Sequence, residues 1–275
     1  MTNFRPQGFQ ILPLVVKNLL IINGLLFLAT VVLQSSYNIR LVDILGLHFF
    51  TSSEFRPYQL VTHMFMHGSL MHIFSNMFSL WMFGSVLENH WGPKRFLTFY
   101  FVCGLGGAFL HLGVTWFEYS RMQDAINAYL INPGIPEFAT LSARYDHLLN
   151  MNAIDQFINQ WKQQPLNPDF ISQSGEMASS FLRILADIPI VGASGAVFGV
   201  LLGFGMLFPN TYLYLLFPPI PIKAKYFVIF YGLFELYAGF SGTQSGIAHF
   251  AHIGGMLFGF ILIRLWNKSN RKDFF

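Results

Sequence analysis

The sequence predicts an all-α membrane protein: a bundle of six transmembrane helices with an extramembrane insertion between helices 3 and 4. Three observations predict it. Of 275 residues, 53% are hydrophobic and only 11% are charged, less than half the roughly 25% carried by a soluble domain. The mean hydropathy of +0.48 excludes both an ordinary cytosolic globular protein and a disordered one. The apolar residues also fall in long uncharged runs, not ten-residue alternations, which selects helices over an outer-membrane barrel.

A span needs about 20 mainly apolar residues. The first uncharged run, 18–39, is followed by no small-x-small cleavage site, so it reads as a span and not as a signal peptide. The second, 70–87, stops at Glu88, and the third, 96–117, lies between Lys94-Arg95 and Glu118. The fourth, 188–208, is closed by Pro209 and the PPIP stretch at 218–221. A fifth, 226–241, is interrupted by Glu235, and a sixth covers 246–263. Residues 1–275 thus read as a single six-helix membrane domain.

Residues 118–187 differ in composition, holding 8 of the 13 acids. They read as an extracytoplasmic insertion with helices of its own. Ile154, Phe157, Ile158 and Trp161 recur at helical spacing, and so do Met177, Phe181, Leu182 and Leu185. Such helices either pack as a folded loop or lie on the bilayer and guide a partner.

Orientation follows from Lys and Arg in short loops. One side collects Arg5, Lys17, Lys94, Arg95, Lys223, Lys225, Arg264, Lys268, Arg271 and Lys272. The other short loop has only Arg40 and Arg56. Both termini are therefore expected in the cytoplasm, with 34–69 and 118–187 outside. The excess of 16 Lys+Arg over 13 Asp+Glu is too small to suggest nucleic acid. Cys103 is the only cysteine, which excludes an intrachain disulfide and a cysteine-based metal site.

Polar groups inside spans are costly and point to function. They concentrate in three places: His63, His67, His72 and Asn76 at the start of span two, Ser194 in GASG of span four, and His249 and His252 in AHFAHIGG of span six. Even-numbered spans all run from outside to inside. Ser194, His252, His72 and Asn76 therefore fall roughly 5–10 Å below the outer surface at 1.5 Å per residue, where they can converge in one cavity. Gly195, Gly199 and Gly203 on one helix and Gly255 and Gly259 on another let two backbones approach. That approach favours a hydrogen bond from Ser194 Oγ to the His252 imidazole.

A serine becomes a nucleophile when an adjacent base takes its proton. No acid stands near His252 in sequence, and Glu235 reads as a structural carboxylate deeper in its span, so a Ser194–His252 dyad is expected. His72 and Asn76, four apart, share a helix face and can stabilise an oxyanion together with the Ser194 N–H. His63 and His67 have metal-ligand spacing, but no carboxylate accompanies them, and they read as histidines bonded to loop carbonyls. His249 is a competing base one turn before His252. No metal and no cofactor is expected.

THMFMHGSLMHIFSNMFSLWMFGSVLE (62–88), GASGAVFG (192–199) and AHIGGMLFG (251–259) resemble the three signatures of rhomboid intramembrane serine proteases. The resemblance spans all six helices in order. It implies a compact rhomboid-like bundle with Ser194 as nucleophile, His252 as general base, and His72 and Asn76 assisting the oxyanion. It gives Gly192, Phe198, Gly255 and Gly259 supporting packing roles, with Phe198 where the family often has Tyr beside the histidine. Tyr58-Gln59 resembles the family's first-loop pair, which suggests a loop resting in the outer leaflet. Glu88 matches a structural acid ending helix two.

The function expected is serine endopeptidase cleavage of single-span transmembrane substrates, which enter laterally from the lipid bilayer past helix five. An inactive rhomboid-like chaperone or adaptor that binds transmembrane helices is the alternative, and a small transporter is a third. Transport is disfavoured because inverted repeats and paired intramembrane carboxylates are missing. No Arg-rich presequence opens the chain, so a multi-pass protein of the bacterial plasma membrane is expected.

Overall fold

The computed structural model describes residues 8–214, 220–241 and 249–270. Arg5, Pro218, Pro219, the opening of the sixth expected span at 246–248, Arg271 and Lys272 lie outside the described residues. The main helices are α1 (Leu14–Tyr37), α2 (Leu70–Trp91), α3 (Pro93–Ile131), α4 (Ile135–Arg144), α5 (Met151–Gln163), α6 (Pro168–Ala186), α7 (Ser194–Leu207), α8 (Ala224–Ser241) and α9 (His249–Asn270). Before α8, β1 (Tyr212–Tyr214) pairs antiparallel with β2 (Pro221–Lys223), with Leu213 opposite Ile222.

Four of these helices, α1, α2, α3 and α9, are long and apolar enough to cross a membrane. Helix α7 is a shorter apolar helix of 14 residues, and the 18 residues of α8 include Glu235. Large apolar side chains point outward: Leu25, Leu28 and Val31 of α1, and Ile229, Phe230 and Leu233 of α8 are exposed. So much apolar surface is tolerable against lipid and not against water. The helices satisfy their own backbone groups, as a bilayer requires. This is a helical, multi-pass membrane protein.

Among the boundaries that differ from the sequence expectation, two bear on the site and the insertion. Helix α3 does not stop at Glu118 but runs on to Ile131, because a charge ends an apolar stretch without ending the hydrogen-bond ladder. Helix α7 starts only at Ser194, although the apolar run begins at 188. Ile190 instead forms an antiparallel bridge with Leu47, with reciprocal N–H···O bonds of 2.9 and 2.8 Å. Gly192 then turns the chain at φ 127°, a region glycine enters without a Cβ penalty, and donates its N–H to His63 O at 2.9 Å.

The chain divides into two compact units. The first comprises 1–47, 57–111 and 190–275. Its core is built from Val16, Leu80, Leu87, Phe96, Phe99, Tyr100, Val200 and Phe204. A π-helical turn at Leu80–Gly84 interrupts α2, and Gly84 lies where a Cβ would stand 3.1 Å from Phe96 and 3.2 Å from Val16. The start of α1 is held by a carboxylate. Buried Glu88 accepts the N–H groups of Val15 and Val16 at 2.9 and 2.8 Å. Those first-turn donors have no intrahelical partner, and an anion suits the positive end of the helix.

The second unit comprises 48–56 and 112–189, and residues 118–187 fall within it. Its core is Met122, Ile126, Phe138, Ile154, Ile158, Trp161, Phe181 and Leu185. Both stripes read from the sequence face this core: Ile154, Ile158 and Trp161 of α5 are buried with Phe157 packed beside them, and Phe181 and Leu185 of α6 with Met177 and Leu182. Asn150 and Asn167 cap α5 and α6, which explains why helices start in so polar a stretch.

Replacing Glu88 by Ala is expected to destabilise the protein by about 3 kcal/mol, since two amides lose a charged acceptor. Unfolding midpoints in detergent, compared with wild type, measure it; an unchanged midpoint contradicts the capping role.

Candidate active site

Three helix starts in the first unit carry the polar residues singled out by sequence. Ser69 caps α2, its Oγ accepting the His72 N–H at 3.2 Å, so His72 lies in the first turn of that helix. Ser194 is the first residue of α7, and His252 is the fourth described residue of α9. Ser194 was expected six residues into a helix. The Leu47–Ile190 bridge and the Gly192 turn consume those residues and leave Ser194 at the positive helix end.

What draws α7 and α9 together is the absence of side chains between them. A Cβ on Gly255 would stand 1.8 Å from Gly195 O, and one on Gly199 would stand 3.0 Å from Gly255 O. Gly259 lies likewise, 3.5 Å from the Gly199 Cα. Helix α3 joins the contact, because a Cβ on Gly107 would stand 2.5 Å from Ala251 O and 3.3 Å from Gly195 Cα. Gly195 and Ala251 are the immediate neighbours of Ser194 and His252. Their contact sets those two residues across one interface. The approach of α2 uses Gly192, where a Cβ would meet His72 Nε2 at 2.8 Å and Ser194 Oγ at 3.5 Å.

Ser194 and His252 are both nearly buried, at 9% and 8% exposure. Phe198, one turn after Ser194, stacks flat on the His252 imidazole, with centroids 4.1 Å apart and 6° between planes. Tyr231 of α8 covers the other side of Phe198 at 5.3 Å. The first turn of α7 is buried and has no side-chain cap. Its N–H groups are therefore donors aimed at an anion-accepting position beside Ser194. Asn76, one turn below His72, is buried, and its Nδ2 has no hydrogen-bond partner among the described residues.

Of the two further histidines of span two, His63 donates Nδ1–H to Gln59 O at 2.8 Å, as a loop-fixing histidine should. His67 Nδ1 and Nε2 have no close side-chain or carbonyl bond like that of His63 among the described residues. It is buried edge-on to His72, with centroids 4.9 Å apart.

Glu235 requires a correction. The sequence reading left it as a structural carboxylate with no acid near His252, but the structure places its Oε2 2.8 Å from His252 Nδ1 and 2.7 Å from His249 Nδ1. An ionised oxygen accepts from both rings, whereas a protonated one could donate to only one of them. With the carboxylate ionised, both histidines carry the proton on Nδ1, and His252 keeps Nε2 as its basic nitrogen. The direct bond expected from Ser194 Oγ to His252 is not formed among the described residues. Glu235, His249 and His252 are also a ligand-type group, with donor atoms within 4.8 Å of one another. Tetrahedral ligands about 2.0–2.1 Å from a zinc ion stand about 3.3 Å apart. The two Nδ1–Oε2 separations of 2.7 and 2.8 Å are shorter and belong to hydrogen bonds.

The rhomboid domain family matches residues 54–120 and 170–268, well over half of the chain. An uncharacterized mitochondrial rhomboid protein of Schizosaccharomyces pombe is 24% identical over 234 residues, covering 80% of this chain and 54% of that protein. The chain thus spans about half the length of this relative. With the glycine-packed helices and the polar helix starts in place, this chain belongs to the rhomboid family.

The close approach of α7 and α9 makes Gly255 intolerant of any side chain. Gly255→Ala is expected to cost at least about 1–3 kcal/mol through overpacking. Gly24→Ala in α1, where nothing lies within 4 Å, is expected to gain about 0.5–1 kcal/mol. Thermal unfolding of both variants in detergent measures the contrast.

Proposed function

We propose that this protein is an intramembrane serine endopeptidase that cleaves single-span transmembrane substrates in or near their span. The observation that carries the reading is Ser194 at an uncapped, buried helix N-terminus, beside His72 and across the Gly195–Ala251 contact from His252. Ser194 Oγ attacks the scissile carbonyl as its proton passes to His252 Nε2. The tetrahedral oxyanion is met by the Ser194 N–H, the unpartnered Asn76 amide and His72. His252 returns the proton to the leaving amine, and water then releases the acyl group by the same route in reverse. A resting site lacking the Ser194–His252 bond fits this scheme, since such bonds tighten in the substrate complex.

The rest of the architecture is read with the same function. Helices α7 and α8 complete six spans with α1, α2, α3 and α9, and both termini lie on the cytoplasmic side. The family match leaves out 121–169, which supports 118–187 as an extracytoplasmic insertion. The exposed apolar face of α8 suits a substrate helix arriving from lipid. For the compartment, the relative is a mitochondrial protein, and the plasma membrane is the alternative. Membrane fractionation of the tagged chain in its host decides between plasma membrane and mitochondrion.

In detergent, a fluorophosphonate probe is expected to label wild type but not Ser194→Ala or His252→Ala. Asn76→Ala is expected to slow substrate cleavage by about 10- to 1000-fold, the range for one oxyanion donor. Well-folded wild type that neither labels nor cleaves, yet binds transmembrane helices, would favour an inactive helix-binding adaptor. For orientation, a cysteine at exposed Leu166 should react with an impermeant maleimide from outside intact cells or organelles. The natural Cys103 is buried and should stay silent.

A further inference from the structure

We infer that Glu235 is the positioning carboxylate of this site, making the reacting unit Ser194–His252–Glu235, with His249 as the second donor that fixes the carboxylate. The inference rests on the protease reading above and on three observations. Glu235 is 4% exposed, so its carboxylate must be satisfied within the protein. Its Oε2 accepts from His252 Nδ1 at 2.8 Å, which forces the basic lone pair of His252 onto Nε2. His249 Nδ1 holds the same oxygen at 2.7 Å, so the carboxylate cannot rotate away without losing two bonds.

The role follows from the proton path. When Ser194 Oγ bonds to the scissile carbon, its proton moves to His252 Nε2 and the ring becomes a cation. That cation forms in a region of low polarity, and Glu235 lies in hydrogen-bond contact with it, so the charge is matched where it appears. Phe198 stacked at 4.1 Å holds the ring plane, and Glu235 holds its rotation within that plane. Neither residue touches substrate; Glu235 acts through His252.

His72 of α2 and His111 of α3 are within electrostatic reach of His252, and Tyr231 of α8 faces Glu235. With His249 these are the titratable groups around the pair. All but the residue changed are kept in the variants below, so shifts between them report on Glu235.

The test is the pH dependence of fluorophosphonate labelling, with kcat and KM for substrate cleavage, using full-length protein in detergent. Glu235→Gln is expected to lower kcat and the labelling rate by about a hundred- to ten-thousand-fold, the range for loss of the triad acid in serine proteases, with KM nearly unchanged. Without the anion the His252 cation loses its proton more readily, so the acidic limb of the residual rate should move to lower pH. Glu235→Asp should recover part of the rate. His249→Phe keeps the Glu235–His252 bond but frees the carboxylate from its second donor. Its acidic limb should move the opposite way, to higher pH, and this variant carries the test if Glu235→Gln does not fold. Wild-type labelling at Ser194 with Glu235→Gln matching its rate and pH limb, or an unmoved limb in His249→Phe, overturns this inference alone. A folded wild type that never labels at Ser194 overturns the protease reading and this inference together.

Discussion

Inside a bilayer, apolar side chains gain little by leaving lipid for protein, so helices are held by close packing and by polar contacts. The contact between α7 and α9 is the extreme case in this molecule. Gly195 and Gly255 meet where a Cβ would overlap a carbonyl oxygen, and Gly199 and Gly259 extend the seam one turn further. Cys103 of α3 fills the space beside them, its Sγ 2.4 Å from where a Gly199 Cβ would lie. The lone cysteine is thus a small packing group. Ser194 and His252 are both referred to this seam: Ser194 precedes Gly195, His252 precedes Gly255 by one turn, and Phe198 reaches across from one helix to stack on the imidazole of the other.

The seam was legible in the sequence because glycines at i, i+4 and i+8 carry a simple steric message. The polar residues were legible for the same kind of reason, since an imidazole in an apolar run is costly and therefore conspicuous. What could not be read from hydropathy was how the backbone enters the membrane region. Residues 188–193 are apolar enough for a helix, but the pairing of Ile190 with Leu47 is non-local, and no window along the chain reveals it. It moves the start of α7 to Ser194 and changes the chemistry, because a serine at a helix start has free amides beside it and one in the second turn does not. The long run of α3 past Glu118 was hidden for a related reason: hydropathy reports solvent, not hydrogen bonding.

Glu235 was misread although the signal was present. Counted from the outer ends of the fifth and sixth apolar runs, Glu235 and His252 are each six residues in. Antiparallel neighbours at equal depth meet. Depth along the even-numbered apolar runs alone groups Ser194 with His252 and passes over Glu235 on the fifth.

A buried carboxylate needs a physical account of its own, since an isolated ion in a medium of low polarity is too costly to persist. No Lys or Arg is paired with Glu235 among the described residues. Two imidazoles bond to one of its oxygens instead, and as neutral rings they are its donors. This arrangement disperses the negative charge over two N–H dipoles and adds no formal positive charge to the resting site. A lysine in place of His249 would neutralise the carboxylate more fully, but it would also leave less field for a cation forming on His252. Two neutral donors satisfy Glu235 at rest and, in the mechanism proposed above, still leave it an anion when His252 takes up a proton. The second histidine, which sequence spacing presented as a rival base, is under this proposal the group that makes a buried carboxylate tolerable.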